Sequence, residues 1–203
     1  METPRTLADL QRLIDNQIQE NVHLDYKASA AFEQNANAVR ADLGKDVSAF
    51  ANSDGGVLVI GVLEDKKTKV PSALDGGVLN ATWSRERIED VLSGAIAPRV
   101  DGVEIVPIPA SATHTYFAIA VPKSYRAPHQ EVVEHRYYKR ANFKNQPMED
   151  YEIRDVLSRR SVAPSLIHVD VDIRKGVLLD LVVTNVGDAP AEKLALHHHS
   201  ATT

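Results

Sequence analysis

The sequence predicts an α/β (α+β) fold in which helices flank a mixed β-sheet, followed by a short all-β segment. Over about the first 160 residues, stretches with apolar residues at helical spacing alternate with short apolar runs rich in β-branched residues. From about residue 161 the pattern changes to the alternation of apolar and polar residues that is typical of strands. We therefore expect one domain over residues 1–160 and a β-strand tail over residues 161–203.

The first elements are predicted by their apolar spacing. Thr6 is a candidate cap for a helix that runs to about residue 18, and residues 22–27 alternate as a short half-buried strand. A second helix ends near Phe50 and is broken by residues 52–56. The almost wholly apolar run 57–63 then indicates a strand buried on both faces.

The rest of the domain continues the alternation of helices and strands. Thr82 or Ser84 caps a third predicted helix, which contains Ile88, Val91 and Leu92. The later predicted elements are strands at 103–108, 116–121 and 135–140 and a helix at 148–157.

Composition and charge exclude several classes of protein. The absence of cysteine excludes disulfides, thiolate metal sites and cysteine nucleophiles. With a net charge of -5, a nucleic-acid site would have to be a local basic patch. The longest apolar runs fall far short of the roughly 20 residues that a membrane helix needs, and the N-terminus is polar, so we expect a soluble, cytoplasmic protein with no membrane partner.

Acidic residues and one lysine lie near the ends of two predicted strands. Asp25 and Lys27 share one face of the first strand because side chains alternate along a strand. If the strands are neighbours, Glu20, Asp25 and the acids at Glu64 and Asp65 could converge on one or two divalent cations, Mg²⁺ or Mn²⁺, and activate water for phosphodiester cleavage. The alternative is a set of solvated charges at strand ends.

A basic and aromatic segment is the second candidate site. Arginine and lysine can pair with phosphates while interleaved aromatic rings stack on bases. The alternative is a strand with core tyrosines and solvated charges. The segment comprises Arg126, His129, Arg136, Tyr137, Tyr138, Lys139, Arg140, Phe143 and Lys144.

A third feature is the junction between the second helix and the buried strand, where Asp54 precedes two glycines. The glycines permit positive φ angles and close approach of another backbone or a ligand. The simplest interpretation is a helix end leading into a core strand. The sequence contains neither of the usual glycine-rich phosphate-binding loops.

Together these motifs resemble one family, the Schlafen AlbA_2 domain. The resemblance covers about residues 7–158. Its most specific part is Ala-Phe-Ala-Asn-Ser-x-Gly-Gly ahead of an Ile-Gly-Val strand. The other matching motifs are Glu20-x-x-x-x-Asp-Tyr-Lys27, Lys45, Ile96-Ala-Pro98, Val121-Pro122, Pro128-His129 and Tyr137-Tyr-Lys-Arg140.

The resemblance implies an α/β lobe that binds nucleic acid, and it adds Lys45, Asn52 and Ser53 to the predicted binding residues. In animal members it also implies metal-dependent cleavage of tRNA-like RNA by three carboxylates. These fall on Glu20, Asp25 and either Glu64 or Asp65, with Lys27 stabilising phosphate charge; the commoner residue at position 25 is Glu.

The sequence leaves three functional hypotheses open, the third of which rests on the trailing β segment and the acidic net charge. The first is an endoribonuclease in bacterial stress or phage defence, the second a non-catalytic DNA-binding or sensor module, and the third an oligomerisation platform. The animal nuclease core resembles two such lobes, so a homodimer or higher homo-oligomer is expected.

The tail contains two predicted strands, at 167–173 and 177–184. Two strands alone cannot bury a core. The tail is therefore either an arm that packs on a partner or the start of an incomplete sandwich, and residues 181–191 resemble the early strands of an immunoglobulin-like domain.

Overall fold

The computed structural model describes residues 2–65, 67–68, 70–162, 167–174 and 178–185. They contain four α-helices, α1 (Leu7–Asp15), α2 (Ala36–Ala51), α3 (Arg85–Ala95) and α4 (Asp150–Val162), and a short 3-10 helix (Ser29–Glu33). The side chain of Thr6 accepts a hydrogen bond from the backbone N–H of Asp9, as predicted, and Ser84 rather than Thr82 caps α3.

Thirteen strands are present among these described residues. They are β1 (Leu24–Lys27), β2 (Gly56–Ile60), β3 (Val62–Glu64), β4 (Pro71–Leu74), β5 (Val78–Leu79), β6 (Ile96–Ala97), β7 (Glu104–Pro109), β8 (His114–Val121), β9 (Gln130–Glu131), β10 (Arg136–Ala141), β11 (Lys144–Pro147), β12 (Ile167–Arg174) and β13 (Leu178–Asn185).

The central sheet is mixed, as the sequence predicts. β1 pairs in parallel with β2, and β8 pairs antiparallel with β2, β7 and β5. Alternate residues of β2 enter two apolar clusters: Leu58 and Ile60 pack with residues of α2 and α3, while Val57 and Val59 pack with Leu10 of α1. This two-sided burial explains the nearly continuous apolar run in the sequence.

The predicted single strand over 57–63 is wrong in one respect, because the chain turns at Gly61. Gly61 has φ +103°, and a Cβ there would lie 2.3 Å from a ring carbon of Tyr116. Only glycine adopts this conformation without strain. Beyond Gly61 the chain forms β3, which pairs with β4 in a separate two-stranded sheet.

A second sheet, in the order β11-β10-β9-β6, is built from antiparallel pairs. Asn52, at the end of α2, hydrogen-bonds to the backbone of this sheet. Within the described part of the chain, no helix is both long enough and apolar enough to cross a membrane.

The chain divides into two compact units, residues 1–157 and 158–203. The second unit contains the antiparallel hairpin of β12 and β13, in which Ile167 pairs with Asn185 and Arg174 with Leu178. Residues 186–203 lie outside the described residues, as does the part of the immunoglobulin-like prediction that falls on them.

Candidate nucleic-acid interface

The two faces of β10 carry different chemistry. Side chains alternate along a strand, and here Tyr138 and Arg140 are buried whereas Tyr137 and Lys139 are half-buried. Lys144 pairs across the hairpin with Ala141, which places it on the same face as Tyr137 and Lys139. We call the side that carries Tyr137, Lys139 and Lys144 the outward face.

Arg140 points the other way, into the domain. Its guanidinium is 1% exposed and donates to Asp25 Oδ2 at 3.0 Å and to Asn145 Oδ1 at 2.9 Å. It also donates to the carbonyl of Asn21 at 2.9 Å and lies 4.7 Å from the centre of the Phe50 ring. A guanidinium with these partners joins the second sheet to β1, so Arg140 is buried in the domain instead of facing solvent.

Lys27 belongs to the same buried network. Its ammonium lies 2.8 Å from Asp46 Oδ2, and Asn145 donates to the other Asp46 oxygen at 2.6 Å. Burial by itself would lower the pKa of Lys27, but the acidic groups around it, Asp46 foremost and then Asp42 and Asp25, together outweigh burial and the pKa is raised. Lys27 therefore remains charged and is held by Asp46.

Asp25 and Glu20 form a carboxyl pair. Burial raises the pKa of Asp25 to about 8, and a side-chain hydrogen bond with Glu20 adds to the rise while the charge of Arg140 opposes it. Glu20 also accepts a hydrogen bond from the backbone N–H of Tyr26 at 2.9 Å. Because the pKa of Asp25 lies above 7, the protonated form of this carboxyl predominates at neutral pH.

The other two predicted acids are placed differently. The charge of Glu64, like that of Glu20, helps raise the pKa of Tyr26, although burial is the main cause. Asp65 accepts hydrogen bonds from the N–H groups of Lys67 and Thr68, so it stabilises its own exposed turn. The structure therefore brings Glu20 and Asp25 together and leaves Asp65 apart.

As placed, these acids do not fit a metal ion. Among the described residues, no group of three His, Asp or Glu side chains is arranged to hold one. Asp25 already accepts from Arg140 and shares a hydrogen bond with Glu20, which occupies the oxygens that a hard cation would need.

Asn52 and Ser53 connect the end of α2 to the second sheet. The Asn52 amide donates to the carbonyls of His129 at 2.9 Å and Tyr138 at 2.8 Å, and its oxygen accepts from the His129 N–H at 2.6 Å. Ser53 Oγ accepts from the N–H of Arg140 at 2.9 Å. Both side chains are thus engaged within the domain.

His129 is fully buried. Its Nδ1 lies 2.8 Å from the carbonyl oxygen of Pro98, and its Nε2 lies 2.6 Å from Ser124 Oγ. Tyr138 is also buried, and its hydroxyl donates to Glu134. Neither side chain presents its polar atoms to solvent as a nucleic-acid contact would require.

The remaining predicted cations lie nearer the surface. Arg136 and Lys144 are exposed. Arg126 is exposed and pairs with Asp101 at 3.1 Å, Lys139 pairs with Glu152, and Lys45 lies 3.7 Å from Asp42.

Asp46 and Asn145 belong to the buried network that holds Lys27 and Arg140, and neither of them was singled out from the sequence. Asp46 lies three residues after Leu43 and directly before Val47, both fully buried. A carboxylate on the apolar stripe of a helix signals a buried partner, because an unpaired buried charge is costly. That signal was available for Asp46, whereas Asn145 has no comparable signal.

The α/β architecture is shared with a solved structure. The crystal structure of the DIP2311 protein from Corynebacterium diphtheriae matches with a TM-score of 0.51 and 15% identity, covering 81% of this chain and 34% of that chain. The solution structure of the N-terminal domain of an ATP-dependent DNA helicase RecG-related protein from Nitrosomonas europaea matches with a TM-score of 0.37 and 17% identity, covering 94% and 97%. This chain thus spans about a third of the DIP2311 chain.

The family follows from the sequence match. The model of the family described as Schlafen, AlbA_2 matches residues 20–149, which is more than half of the chain. The chain belongs to the Schlafen AlbA_2 family, which confirms the predicted resemblance and supports a nucleic-acid-binding role. No curated protein matches it.

Proposed function

We propose that this domain binds nucleic acid, either RNA or DNA, through the outward face of β10 and β11 and the exposed cations beside it. One observation carries the proposal. The strand register directs Lys139 and Lys144 outward together with Tyr137, while Arg140 is directed into the buried network. The outward face therefore combines lysines with an aromatic ring, and Arg136 is exposed at the start of β10, on the face that Tyr138 and Arg140 share.

The local charge of this surface explains how an acidic chain can bind a polyanion. The net charge of the whole chain is -5, but phosphate contacts depend on charges within about 10 Å at ordinary ionic strength. Arg136 and Lys144 are exposed and within the second sheet. Lys139 pairs with Glu152, and a phosphate would compete with that carboxylate for the same ammonium.

The experiment is a salt titration of binding. Fluorescence polarisation of labelled tRNA and of a duplex DNA is measured for the wild type, Arg136→Ala, Lys144→Ala and the control Arg12→Ala, which removes an exposed arginine from α1. Each lost phosphate contact should lower the slope of log K against log[salt] by about 0.9 on duplex or about 0.7 on single strands.

The control separates a local site from general electrostatics. Arg12→Ala should leave affinity within about twofold, because a local site depends on its own phosphate contacts. Absence of any salt-dependent binding by the wild type would overturn the proposal. An equal loss in Arg12→Ala would also overturn it, because it would show that only the total charge matters.

A second candidate function is metal-dependent RNA cleavage. The proximity of Glu20 and Asp25 favours it, and a cation would have to displace the hydrogen bonds that Asp25 makes with Arg140 and Glu20. These two predicted acids lie together, and Glu64 is close enough to influence Tyr26, which follows Asp25. Cleavage of labelled tRNA and single-stranded DNA is measured with Mn²⁺, Mg²⁺ or EDTA. Metal-dependent cutting that is lost in Asp25→Ala and Glu20→Gln but kept in Asp65→Asn supports this candidate; cutting that survives Asp25→Ala removes it.

The proposal includes self-association, because the resemblance to a two-lobed clamp implies a homodimer or higher homo-oligomer. Light scattering on the full chain, alone and with bound oligonucleotide, measures the number of copies directly. A monomer under both conditions would remove this part of the proposal.

A further inference from the structure

The tip of the hairpin between β10 and β11 carries an aromatic ring that the turn does not require. Ala141 and Lys144 are the last paired residues, so Asn142 and Phe143 form a two-residue turn. Asn142 has φ +56°, a conformation that Asn tolerates better than most residues. Small or polar residues are usual in such turns. Position 143 instead carries a phenylalanine, and its side chain is 46% exposed.

The ring is accompanied by a cation. The ammonium of Lys144 lies 5.6 Å from the centre of the Phe143 ring. Lys144 is itself exposed and belongs to the outward face. The hairpin thus presents a flat apolar ring and a positive charge a few ångströms apart, at the point of the second sheet where β10 turns back into β11.

We propose that Phe143 and Lys144 form a subsite for one unpaired nucleotide, in which the ring stacks on the base and the ammonium pairs with its phosphate. This inference rests on the proposed function and assigns it a substrate class, namely single-stranded segments. Base stacking on aromatic side chains depends on the faces of the base, and any base provides such a face. Sequence preference at this subsite is therefore expected to be weak.

Single strands are the substrate because the ring needs a free base face. In a duplex each base is covered above and below by its neighbours, so a ring at a hairpin tip can reach only edges and the backbone. In a single strand or a loop the bases can splay apart. Phe143 should accordingly discriminate single strands from duplexes, whereas Lys144 should contribute to both through phosphate.

The experiment compares Phe143→Leu with Tyr151→Leu. Leucine keeps an apolar side chain at position 143 but removes the aromatic ring. Tyr151 is 70% exposed on α4. Tyr151→Leu therefore removes an exposed aromatic ring outside the hairpin and serves as the matched control. Binding of a labelled single-stranded 12-mer and of the corresponding duplex is measured by fluorescence polarisation over a range of salt, and circular dichroism verifies the fold of each variant.

Phe143→Leu should weaken single-strand binding by about 5- to 100-fold, with the salt slope unchanged because the ring carries no charge. Duplex binding should change less than about twofold, and Tyr151→Leu should match the wild type. Lys144→Ala should instead reduce the salt slope on both ligands.

Two results would overturn the inference. Unchanged single-strand affinity in Phe143→Leu would show that the ring does not stack on a base. Equal losses on single strand and duplex would show that Phe143 acts through the backbone or the fold. If the wild type binds neither ligand at any salt concentration, the proposed function itself fails; if it binds and only the Phe143 result is negative, the proposed function stands without this subsite.

Discussion

Replacing Asn52 tests whether it acts within the fold or at a nucleic-acid surface. Its side chain, at the end of α2, makes three hydrogen bonds to the backbone of Tyr138 in β10 and of His129, which directly precedes β9. Asn52→Ala would leave two carbonyls and one N–H of a partly buried region without these partners. The change should therefore destabilise the first unit.

The expected size follows from those three hydrogen bonds. A net contribution of about 0.5–1.5 kcal/mol each gives a loss of roughly 1.5–4.5 kcal/mol for Asn52→Ala. Asn52→Asp should be at least as damaging at neutral pH. It keeps an oxygen for the His129 N–H, but it replaces the donating amide by an oxygen that faces the carbonyls of His129 and Tyr138.

Urea unfolding followed by the fluorescence of Trp83 measures this loss. Trp83 is the single tryptophan of the chain and is 8% exposed in the core of the first unit, so its signal reports that unit. The midpoint should fall while the m-value stays constant. The control Asn80→Ala removes exposed hydrogen bonds to Ala112 and Thr115 and should cost less than about 1 kcal/mol. If Asn52→Ala were no more destabilising than this control, the reasoning would be refuted.

Three further predictions concern the stability of the first unit. Gly61→Ala should destabilise it by more than about 3 kcal/mol, because the new Cβ would lie 2.3 Å from Tyr116 and φ is positive; a normal melting temperature would contradict this. Because the pKa of Asp25 rises from 3.8 to about 8 on folding, the folded state keeps a proton that the unfolded chain has lost. Stability should therefore fall as pH rises from about 4 to about 8, and Asp25→Asn should flatten that slope in denaturant titrations; an unchanged slope would exclude Asp25 as its source. Thr6→Ala removes the hydrogen bond to the Asp9 N–H and should cost about 1 kcal/mol by urea unfolding, with Thr82→Ala as the near-neutral comparison.

Local sequence patterns were sufficient for the four helices and the longer strands of the first unit, but not for the short strands β4, β5, β6, β9 and β11. The run around β2 is apolar because both faces of that strand are buried, and the Thr6 cap depends only on residues three positions away. The break at Gly61 was missed because it depends on Tyr116, which is distant in sequence and occupies the space of a Cβ. Local periodicity contains no information about such a contact.

The candidate site was harder to predict than the fold. The sequence shows that Lys139 and Arg140 are adjacent cations, but not which of them is buried. That depends on pairing with β11 and on the acceptors Asp25 and Asn145, which come from distant parts of the chain. Asn52 was predicted as a nucleic-acid-binding residue, whereas its side chain is bonded to backbone atoms of His129 and Tyr138, which no motif displays.

The contact between Asp25 and Arg140 has a consequence for exchanging parts between relatives. The two residues are 115 positions apart but hydrogen-bonded at 3.0 Å. A chimera that takes its first strand from one parent and its second sheet from another could lack one of these two partners and would then leave a buried guanidinium with one acceptor fewer. Substitutions at these positions should therefore be non-additive, and a graft of the hairpin onto another scaffold must include residues 21–25.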